Sequence, residues 1–399
     1  MTLDPTGRRR PARAPFSLLN AWNDVNTRAW IYQALVVAGI LGLAAYLIAN
    51  AQHALAKQGI STGFSFLESR GGFEIGEKSI AFSSTDTFLR AYGVAILNTL
   101  KVSGASILLA TVVGVAVGLG RLSSNPLMRK LASIYVEVFR NTPQLIQLVF
   151  WYTLIANLPR PRQALSLGES VFLSNRGLAV PWLADASAAW VLVAAVLAAL
   201  AAGGAARALC ARLARRRGRP VPGATLLALV AAALPLAAGT ALAWPLQITA
   251  PVLRGFNFQG GLTLSPEFVA LLLGLALYIA AFIAEIVRSG VQSVGRGQIE
   301  AAQAVGLSRF DIYLKIVFPQ ALRVMVPPAA GQYVSIIKNS SLGVAIGYPE
   351  LFNVNNTIVT LSGHTVEAIA IMMSIYLAIS FVIAALMNLY NRYVQIRER

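Results

Sequence analysis

The sequence has few charged residues for its length, which excludes an ordinary water-soluble protein. Asp, Glu, Lys and Arg make up 12% of the 399 residues, whereas 56% are hydrophobic. Soluble domains average about 25% charged residues, because they must cover a water-exposed surface. The mean hydropathy of +0.64 therefore indicates that lipid is one of the solvents of this protein.

Cysteine and histidine are almost absent. The single cysteine, Cys210, cannot form a disulfide within the chain, and we interpret it as a reduced residue without a role. The two histidines, His53 and His364, add too few soft ligands for a metal site. The sequence thus predicts neither a disulfide framework nor a metal centre.

A nucleotide-binding P-loop is also lacking. This motif has the pattern G-x4-G-K-[ST], and its backbone amides cradle phosphate groups. The nearest match is GGFEIGEKS at 71–79, where Glu77 stands between Gly76 and Lys78 and breaks the cradle. We therefore predict that the chain is not itself catalytic and binds no cofactor, so that any ATP and Mg²⁺ would lie on a partner subunit.

Long apolar runs are what the sequence does contain. A helix needs about 20 apolar residues to cross a bilayer core of about 30 Å. Eight segments approach this length and predict an all-α membrane protein, although 324–346 is the weakest because it contains Lys338 and begins near Pro327-Pro328. The eight segments are 29–49, 93–119, 131–157, 187–206, 224–245, 266–287, 324–346 and 368–390.

The basic residues fall mainly on one side of this arrangement. With the N-terminus in the cytoplasm, the cytoplasmic segments hold 22 of the 33 Lys and Arg residues and the outer loops hold 8. Basic residues concentrate in the cytoplasmic loops of membrane proteins, so we expect both termini to be cytoplasmic. The same bias explains most of the net charge of +17 without a nucleic-acid partner.

The topology divides the chain into six segments. The stretch between the third and sixth spans is Ala-rich and carries no residues that suggest chemistry, so we interpret it as an inserted helical hairpin. The segments are a cytoplasmic tail (1–28), a first span with its outer loop (29–92), a first core part (93–157), the hairpin with its loops (158–265), a second core part (266–390) that includes a cytoplasmic loop (288–323), and a cytoplasmic tail (391–399).

The cytoplasmic loop 288–323 is unusually long and has a pattern of its own. Gly295 and Gly297 precede a short helix-forming run, EAAQAV at 300–305. Gly306 follows this run and suits the left-handed position just after a helix. The first half of the loop is therefore predicted to be a short helix that ends at a tight turn.

The second half of the loop begins with a capping box. Ser308 is followed three residues later by Asp311, a spacing that predicts a second short helix, and Pro319 ends that helix or opens the next one. Such a helix–turn–helix suits docking on another protein, with Leu307, Phe310 and Tyr313 as anchors. The alternative is a surface helix lying among lipid headgroups, which usually has a stronger Lys/Arg face.

This loop resembles the EAA loop of ABC importer permeases, whose pattern is E-A-A-x3-G-x9-I-x-L-P. The chain matches it at every position except Phe318, where Leu is common. In that family the loop is a coupling helix that seats in a groove of the ATP-binding subunit. The resemblance implies this role for Glu300, Ala301, Ala302, Gly306, Leu307, Phe310, Ile316 and Pro319.

Two further stretches are similar to the amino-acid branch of the family. The first joins NTL at 98–100 to VEVFRNTP at 136–143, and the second joins YIAAFIAEIVRSG at 278–290 to IKNSSL at 337–342. Together with their surroundings they cover 90–157 and 266–390. Members often have about five spans, so the extra first span and the hairpin resemble the enlarged permease of four-component general L-amino acid systems.

The resemblance implies a type I ABC importer permease in the bacterial inner (plasma) membrane. Such a subunit translocates L-amino acids, here with broad or polar specificity, by alternating access. The implied partners are two ATP-binding subunits, a second permease subunit (a paralogue rather than a copy), a periplasmic amino-acid-binding protein and the lipid bilayer.

Polar side chains at membrane depth are costly and therefore mark candidate positions on a transport pathway. The candidates are Glu137, Arg140, Asn141, Glu285, Lys338, Asn339 and Ser340. Glu137 and Arg140 are one helical turn apart and can pair as a brace or contact substrate. Thr142-Pro143, just beyond them, predicts a break in the helical hydrogen bonds.

The other candidates also have two interpretations each. Glu285 can attract an α-ammonium group or pair with Arg288 at the i+3 position. Lys338 and the polar residues after it can bind a carboxylate or brace a gate. The resemblance supports these stretches as parts of a pathway without assigning a contact to each residue.

Two other classes of protein remain open from the sequence. An ion-coupled secondary transporter would have inverted repeats and midplane ion ligands, whereas we see no internal repeat and the long loop would be unexplained. A membrane scaffold without transport activity is the second class. Within the importer class, a permease for a sugar, a metal or another small solute is disfavoured by the amino-acid-type stretches.

Overall fold

Apolar helices dominate the protein, as its composition requires. The computed structural model describes residues 25–57, 63–168, 170–184, 186–219, 221–244 and 247–394. These form two units, one containing the residues up to 66 together with 362–367, and the other containing 67–361 and the residues from 368 onward. Residues 1–24 of the predicted N-terminal tail and 395–399 of the predicted C-terminal tail lie outside the described residues.

Eleven α-helices of eight or more residues are described, and six of them (α1, α2, α5, α6, α7 and α11) are long and apolar enough to cross a membrane. This confirms the predicted helical membrane class. The helices are α1 (Val25–Lys57), α2 (Phe88–Arg121), α3 (Pro126–Asn141), α4 (Gln144–Ala156), α5 (Ala186–Arg217), α6 (Ala224–Leu242), α7 (Pro266–Gln292), α8 (Arg296–Ala304), α9 (Phe318–Asn339), α10 (Leu351–Ser362) and α11 (Thr365–Val394).

The predicted span 131–157 consists of two helices, and the predicted break at Thr142-Pro143 is confirmed. Thr142 is extended, with ψ of 130°, which is the conformation favoured before proline. The side-chain amide of Gln147 donates to the carbonyls of Phe139 and Thr142 at 2.9 and 3.0 Å. The break is therefore stabilised, because carbonyls that lose helical partners recover hydrogen bonds.

The predicted span 324–346 also differs from a single apolar helix. It comprises most of α9 and then a 3₁₀ stretch, Ser340–Ile346. Pro327 and Pro328 lie inside α9 rather than at its start. The helix begins before the predicted span, at Phe318, and follows directly on the π-helical stretch Ile312–Val317. Polar residues near its end explain why α9 is not among the six strongly apolar helices.

Eight short strands occur in the predicted hairpin segment, where the sequence analysis anticipated only loops and helices. They are β1 (Leu165–Leu167), β2 (Val171–Ser174), β3 (Gly177–Val180), β4 (Trp182–Leu183), β5 (Ile248–Thr249), β6 (Val252–Arg254), β7 (Asn257–Gln259) and β8 (Leu262–Leu264). An antiparallel sheet has the order β1-β2-β3-β8. Since β3 and β8 come from opposite ends of the segment, this pairing brings those ends together.

Helices α5 and α6 form the predicted hairpin and pack on each other through small residues. A Cβ added at Gly239 would lie 2.2 Å from the Cβ of Ala195, so the two backbones are in close contact. Strands β4 and β5 pair antiparallel at the base of this hairpin, with Leu183 opposite Ile248. The chain thus enters and leaves the hairpin at one place.

Helix α7 lies at the centre of the second unit. Its residues Leu271, Leu275 and Ile279 are almost fully buried, and it packs along α2 at close range. A Cβ added at Gly118 of α2 would lie 2.7 Å from the Cβ of Val287. Small residues of this kind let membrane helices approach closely enough for dispersion contacts to hold them together.

Candidate functional site

The first half of the loop after α7 forms the predicted short helix and turn. Helix α8 begins at Arg296, so Gly297 lies within its first turn rather than before it. Gly306 has the predicted left-handed conformation, with φ of +79°. The amide of Gly306 donates to the carbonyl of Gln303, and the amide of Leu307 donates to that of Ala302. This pair of bonds is the Schellman motif, which ends a helix in a fixed direction.

The second half begins at the predicted N-cap. The Ser308 hydroxyl accepts a hydrogen bond from the Asp311 amide at 3.1 Å and donates to the Asp311 carboxylate at 2.7 Å. Lys315 pairs with Asp311 at 2.6 Å. The Lys315 hydrogen bond, followed by that of Ser308, lowers the pKa of Asp311 below its usual value. The cap therefore carries a negative charge near neutral pH, as a helix N-terminus favours.

The second helix runs directly into α9 instead of ending as a separate element. A turn at Arg309–Asp311 continues as a π-helical stretch, Ile312–Val317, and then as α9, with Pro319 in the first turn of α9. Of the two predicted roles for Pro319, the structure therefore shows the opening of the next helix. A π-helical stretch inside a helix is rare and occurs frequently at functional sites.

One side of this projection packs against the protein, and the other is exposed. The packed side consists of Ala302, Leu307, Ile312, Ile316 and Val317. On the exposed side, the apolar side chains of Val305, Phe310, Tyr313 and Leu314 are 76%, 74%, 57% and 53% exposed. We define the docking surface as Glu300, Ala301, Val305, Gly306, Phe310, Tyr313 and Leu314.

The docking surface combines large exposed side chains with a hydrogen-bonded backbone. Large apolar and aromatic side chains are exposed together, and such clusters mark interaction sites. Its backbone is fixed by the Schellman motif, the Ser308 cap and the packed side, so little ordering is needed on binding. Of the predicted anchors, Phe310 and Tyr313 belong to this surface, whereas Leu307 contacts the core and supports the surface from behind.

A charge cluster lies close to the start of this loop. The Glu285 carboxylate on α7 accepts hydrogen bonds from Arg288 and from Arg121, the last residue of α2. The predicted pairing with Arg288 is therefore present, and the carboxylate forms ion pairs with two guanidinium groups. Arg121 was not predicted from the sequence, because a residue 164 positions away along the chain gives no local signal.

Glu137 and Arg140 are both exposed on α3, and they do not form the ion pair that their spacing allows. Among the described residues neither side chain forms an ion pair. The Arg140 guanidinium instead lies over the ring of Phe282 on α7, 5.0 Å from its centroid. This cation–π contact explains the difference, because it turns Arg140 toward α7. The neighbouring candidate, Asn141, is also exposed.

The candidates at the end of α9 differ in their surroundings. Lys338 is exposed, whereas Asn339 donates to the Gln144 side chain of α4 at 2.7 Å. Ser340 is fully buried and donates to the carbonyl of Ile337 at 2.7 Å. Asn339 and Ser340 therefore fix the end of α9, and the Lys338 side chain lies at the surface of the chain.

A second ion cluster involves the segment that resembles a broken P-loop. The Glu77 carboxylate pairs with Lys101 of α2 at 2.6 Å and accepts a hydrogen bond from Ser265, the N-cap of α7. The Asn98 side chain donates to the carbonyl of Glu77 at 2.8 Å. The segment therefore ties α2 to α7, a role that the sequence analysis did not assign to Glu77.

Glu350 is a fully buried carboxylate that the sequence analysis also missed. It accepts hydrogen bonds from the amides of Phe352 and Asn353, both at 2.8 Å, and from the Tyr376 hydroxyl at 2.7 Å. Burial raises the pKa of Glu350 to about 6. It thus joins the start of α10 to α11. Its position just after the end of the predicted span 324–346 was the only available signal.

The described residues define a multi-span helical membrane protein with an exposed helical projection. The family described as "Binding-protein-dependent transport system inner membrane component" matches residues 110–399. The chain is 43% identical to the putative amino-acid ABC transporter permease protein YhdX of Escherichia coli K12, with 93% of this chain and 95% of the relative covered.

Two other relatives are similar over nearly their whole length. The general L-amino acid transport system permease protein AapQ of Rhizobium johnstonii is 40% identical, with 96% of each chain covered. The glutamate/glutamine/aspartate/asparagine transport system permease protein BztB of Rhodobacter capsulatus is 34% identical, with 98% of this chain and 99% of the relative covered.

The chain therefore belongs to the family of inner-membrane components of binding-protein-dependent transport systems. This confirms the predicted resemblance and makes the protein a permease subunit of an importer. The same match favours an importer over the two other classes that the sequence left open, a secondary transporter and a scaffold.

Proposed function

We propose that this permease imports L-amino acids and that the docking surface couples it to a separate ATP-binding subunit. The observation that carries the proposal is the docking surface itself. It presents exposed Phe310 and Tyr313 on a backbone held by a left-handed Gly306 and a capped helix. A rigid apolar projection of this kind can transmit force from a partner, which a mobile loop cannot.

The proposed mechanism is alternating access. A periplasmic binding protein delivers an amino acid to the outer face, and two ATP-binding subunits close together on ATP and Mg²⁺. The docking surface passes this motion to the helices, so that the cavity opens to one side of the membrane and then to the other. Since one copy of this core cannot enclose a pathway, a second permease subunit, here a paralogue, completes it.

The proposed orientation places the docking surface and both termini in the cytoplasm, where ATP is available. In this orientation the core comprises 93–157 and 266–390, and the segment 158–265 is an insertion. Amino acids are the proposed cargo, since YhdX, AapQ and BztB are named for amino-acid transport. The broad range in the names of AapQ and BztB supports broad or polar specificity.

The predicted pathway residues are proposed to lie along or beside the translocation route. Exposed charged side chains suit a position along the route, because a second permease subunit can face them across a water-filled space. The paired Glu285 supports the helices at one end of the route rather than binding an ammonium group. The proposed set is Glu137, Arg140, Asn141, Glu285, Lys338, Asn339 and Ser340.

Reconstitution tests the proposed function. The chain is co-expressed and purified with its candidate partner subunits and placed in proteoliposomes with the binding protein outside and ATP inside. We expect ATP hydrolysis to rise when the binding protein carries an amino acid, and labelled amino acid to accumulate. Uptake driven by an ion gradient without ATP would contradict the proposal.

A paired variant tests the docking surface in the same assay. Replacing Phe310 and Tyr313 by Ser removes the largest exposed apolar side chains without touching the packed side. We expect the ATP-binding subunit to be lost on gel filtration while the permease still inserts in the membrane. The matched control is Leu227→Ser, which changes an exposed apolar residue of α6 and should leave the complex intact.

A further inference from the structure

The connection between α5 and α6 carries a concentration of positive charge that the hairpin itself does not balance. Residues 207–219 contain six arginines, whereas no Asp or Glu occurs from 186 to 266. Four of the arginines are described with exposed side chains, and we define them as the arginine cluster: Arg207, Arg212, Arg216 and Arg219. The negative groups that balance this cluster therefore come from outside the hairpin.

The arginine cluster begins where the uncharged part of α5 is long enough to have crossed a membrane. Residues 186–206 of α5 are uncharged. At 1.5 Å per residue they extend about 31 Å, which matches the thickness of a bilayer core. Arg207 is therefore placed at the boundary of that core, and Arg212 and Arg216 lie about 7 and 13 Å further along the helix axis. Arginine side chains are long enough to reach the lipid headgroups from such positions.

Helix α5 also extends past the start of α6. A Cβ added at Gly203 of α5 would lie 3.2 Å from the Cβ of Ala232 on α6, which fixes how the two antiparallel helices are aligned. In this alignment Ala224, the first residue of α6, lies about opposite residue 211 of α5. The end of α5, residues 212–217, therefore projects beyond α6 and is open to the membrane surface.

Exposed apolar side chains lie next to the arginine cluster on the membrane side. Leu209 is exposed, and it precedes Arg212 by three residues and Arg216 by seven, so these side chains lie toward one face of the helix. Leu226 and Leu227 are exposed near the start of α6. A phospholipid has the same order of groups along its length, because an anionic phosphate stands beside apolar acyl chains.

We propose that the arginine cluster binds the phosphate headgroups of anionic phospholipids, with an acyl chain against Leu209. A guanidinium group can donate two parallel hydrogen bonds to one phosphate, and basic residues just outside a spanning helix attract anionic lipids. Lipid is favoured over nucleic acid or an acidic protein because two apolar helices hold the cluster at the membrane surface. The inference concerns the lipid around the permease and does not rest on the proposed cargo.

Energy transfer to labelled lipids tests the inference in the full chain. Cys210 is the only cysteine, so Cys210→Ala with Ala208→Cys places one donor dye at an exposed position beside the cluster. This labelled chain is reconstituted in phosphatidylcholine nanodiscs with a trace of lipid that carries an acceptor dye on its acyl chain. We expect transfer to labelled phosphatidylglycerol to exceed transfer to labelled phosphatidylcholine at least about fivefold, the factor that one basic residue at an anionic surface can contribute. The excess should fall as salt is raised.

Two triple variants separate charge from other effects of substitution. Arg212→Gln, Arg216→Gln and Arg219→Gln made together remove three charges of the cluster, and the excess transfer to phosphatidylglycerol should fall below about twofold. Lys at the same three positions keeps the charge but cannot bind phosphate through two parallel hydrogen bonds. The triple lysine variant should therefore keep at least about half of the wild-type excess.

The matched control removes the same number of charges elsewhere. Arg160→Gln, Arg162→Gln and Arg254→Gln change exposed arginines outside the hairpin and should leave the excess at the wild-type value. Loss of the excess in this control would show an effect of net charge alone and would overturn the inference. Equal transfer to the two lipids in the wild type, or an unchanged excess in the triple glutamine variant, would do the same.

Two other occupants of the arginine cluster would give different results. Loss of the excess on adding micromolar inorganic phosphate would show a site for free phosphate. Release of the ATP-binding subunit from the purified complex by the triple glutamine variant would show that the cluster contacts a protein. Either result would replace the lipid by another occupant and so refute the assignment.

Discussion

Gly306 offers the sharpest test of coupling, because its conformation and its surroundings have separable effects. Its φ of +79° lies in the left-handed region, where an ordinary L-residue costs about 1–2 kcal/mol. A Cβ built at this position meets no atom of the chain within 4 Å. Gly306→Ala and Gly306→Trp therefore share the same backbone strain, and the Cβ atom that both introduce adds no clash within the permease.

The difference in uptake between Gly306→Ala and Gly306→Trp measures how closely the ATP-binding subunit approaches position 306. A strain of about 1.4 kcal/mol changes the population of the native turn about tenfold, so we expect a moderate loss of coupling in Gly306→Ala. Gly306→Asn should lose less, since Asn adopts this conformation more readily. Gly306→Trp should reduce uptake at least another tenfold relative to Gly306→Ala, because its ring projects from the docking surface.

The assay is uptake per ATP hydrolysed in proteoliposomes, with the amount of inserted permease measured in parallel. All three variants should insert equally, because position 306 lies outside the membrane-spanning helices. Equal uptake by Gly306→Ala and Gly306→Trp would refute the reasoning, since a bulky ring could then be added to the docking surface without consequence.

Three further predictions concern the fold. Gly118→Leu should destabilise the purified complex by about 1–3 kcal/mol through overpacking against α7, whereas Gly104→Ala, where a Cβ meets nothing within 4 Å, should be neutral or stabilising in the same thermal unfolding assay. The pKa of Glu350 is raised from 4.5 to about 6, so the folded state binds more protons in this range. Stability should fall by about 2 kcal/mol as pH rises from 4.5 to above 6, and Glu350→Gln should remove this dependence in pH-resolved melting curves. Replacing 184–247 with Asn-Gly should preserve ATP-driven uptake, because β4 and β5 already lie side by side; loss of the assembled complex would show that the hairpin is needed for assembly.

Local signals made the loop after α7 predictable from the sequence. The left-handed Gly306 and the Ser308 cap each depend on residues within a few positions, and both are present as predicted. The break at Thr142-Pro143 was predictable for the same reason, because proline restricts the residue before it. Apolar length alone located the main helices.

Contacts between distant residues could not be predicted in this way. Arg121 and Glu285 are far apart in sequence, and only the packing of α2 against α7 brings them together. Glu137 and Arg140 do not pair, because helical spacing permits a contact without requiring it, and Phe282 of α7 competes for Arg140. Strands of two to four residues are too short to show an alternating pattern.

The length of α9 suits a helix that crosses the membrane from the docking surface. This helix has 22 residues and is therefore about 33 Å long at 1.5 Å per residue, which is about the thickness of a bilayer core. Its first turn continues from the docking surface, and Lys338 lies one residue before its end. Under the proposed mechanism, a tilt of the helix driven at the docking surface would therefore move Lys338, one of the proposed pathway residues, relative to α11. Pro327 and Pro328 remove two backbone donors in the middle of α9, so a bend at this point would set how much of that motion reached Lys338.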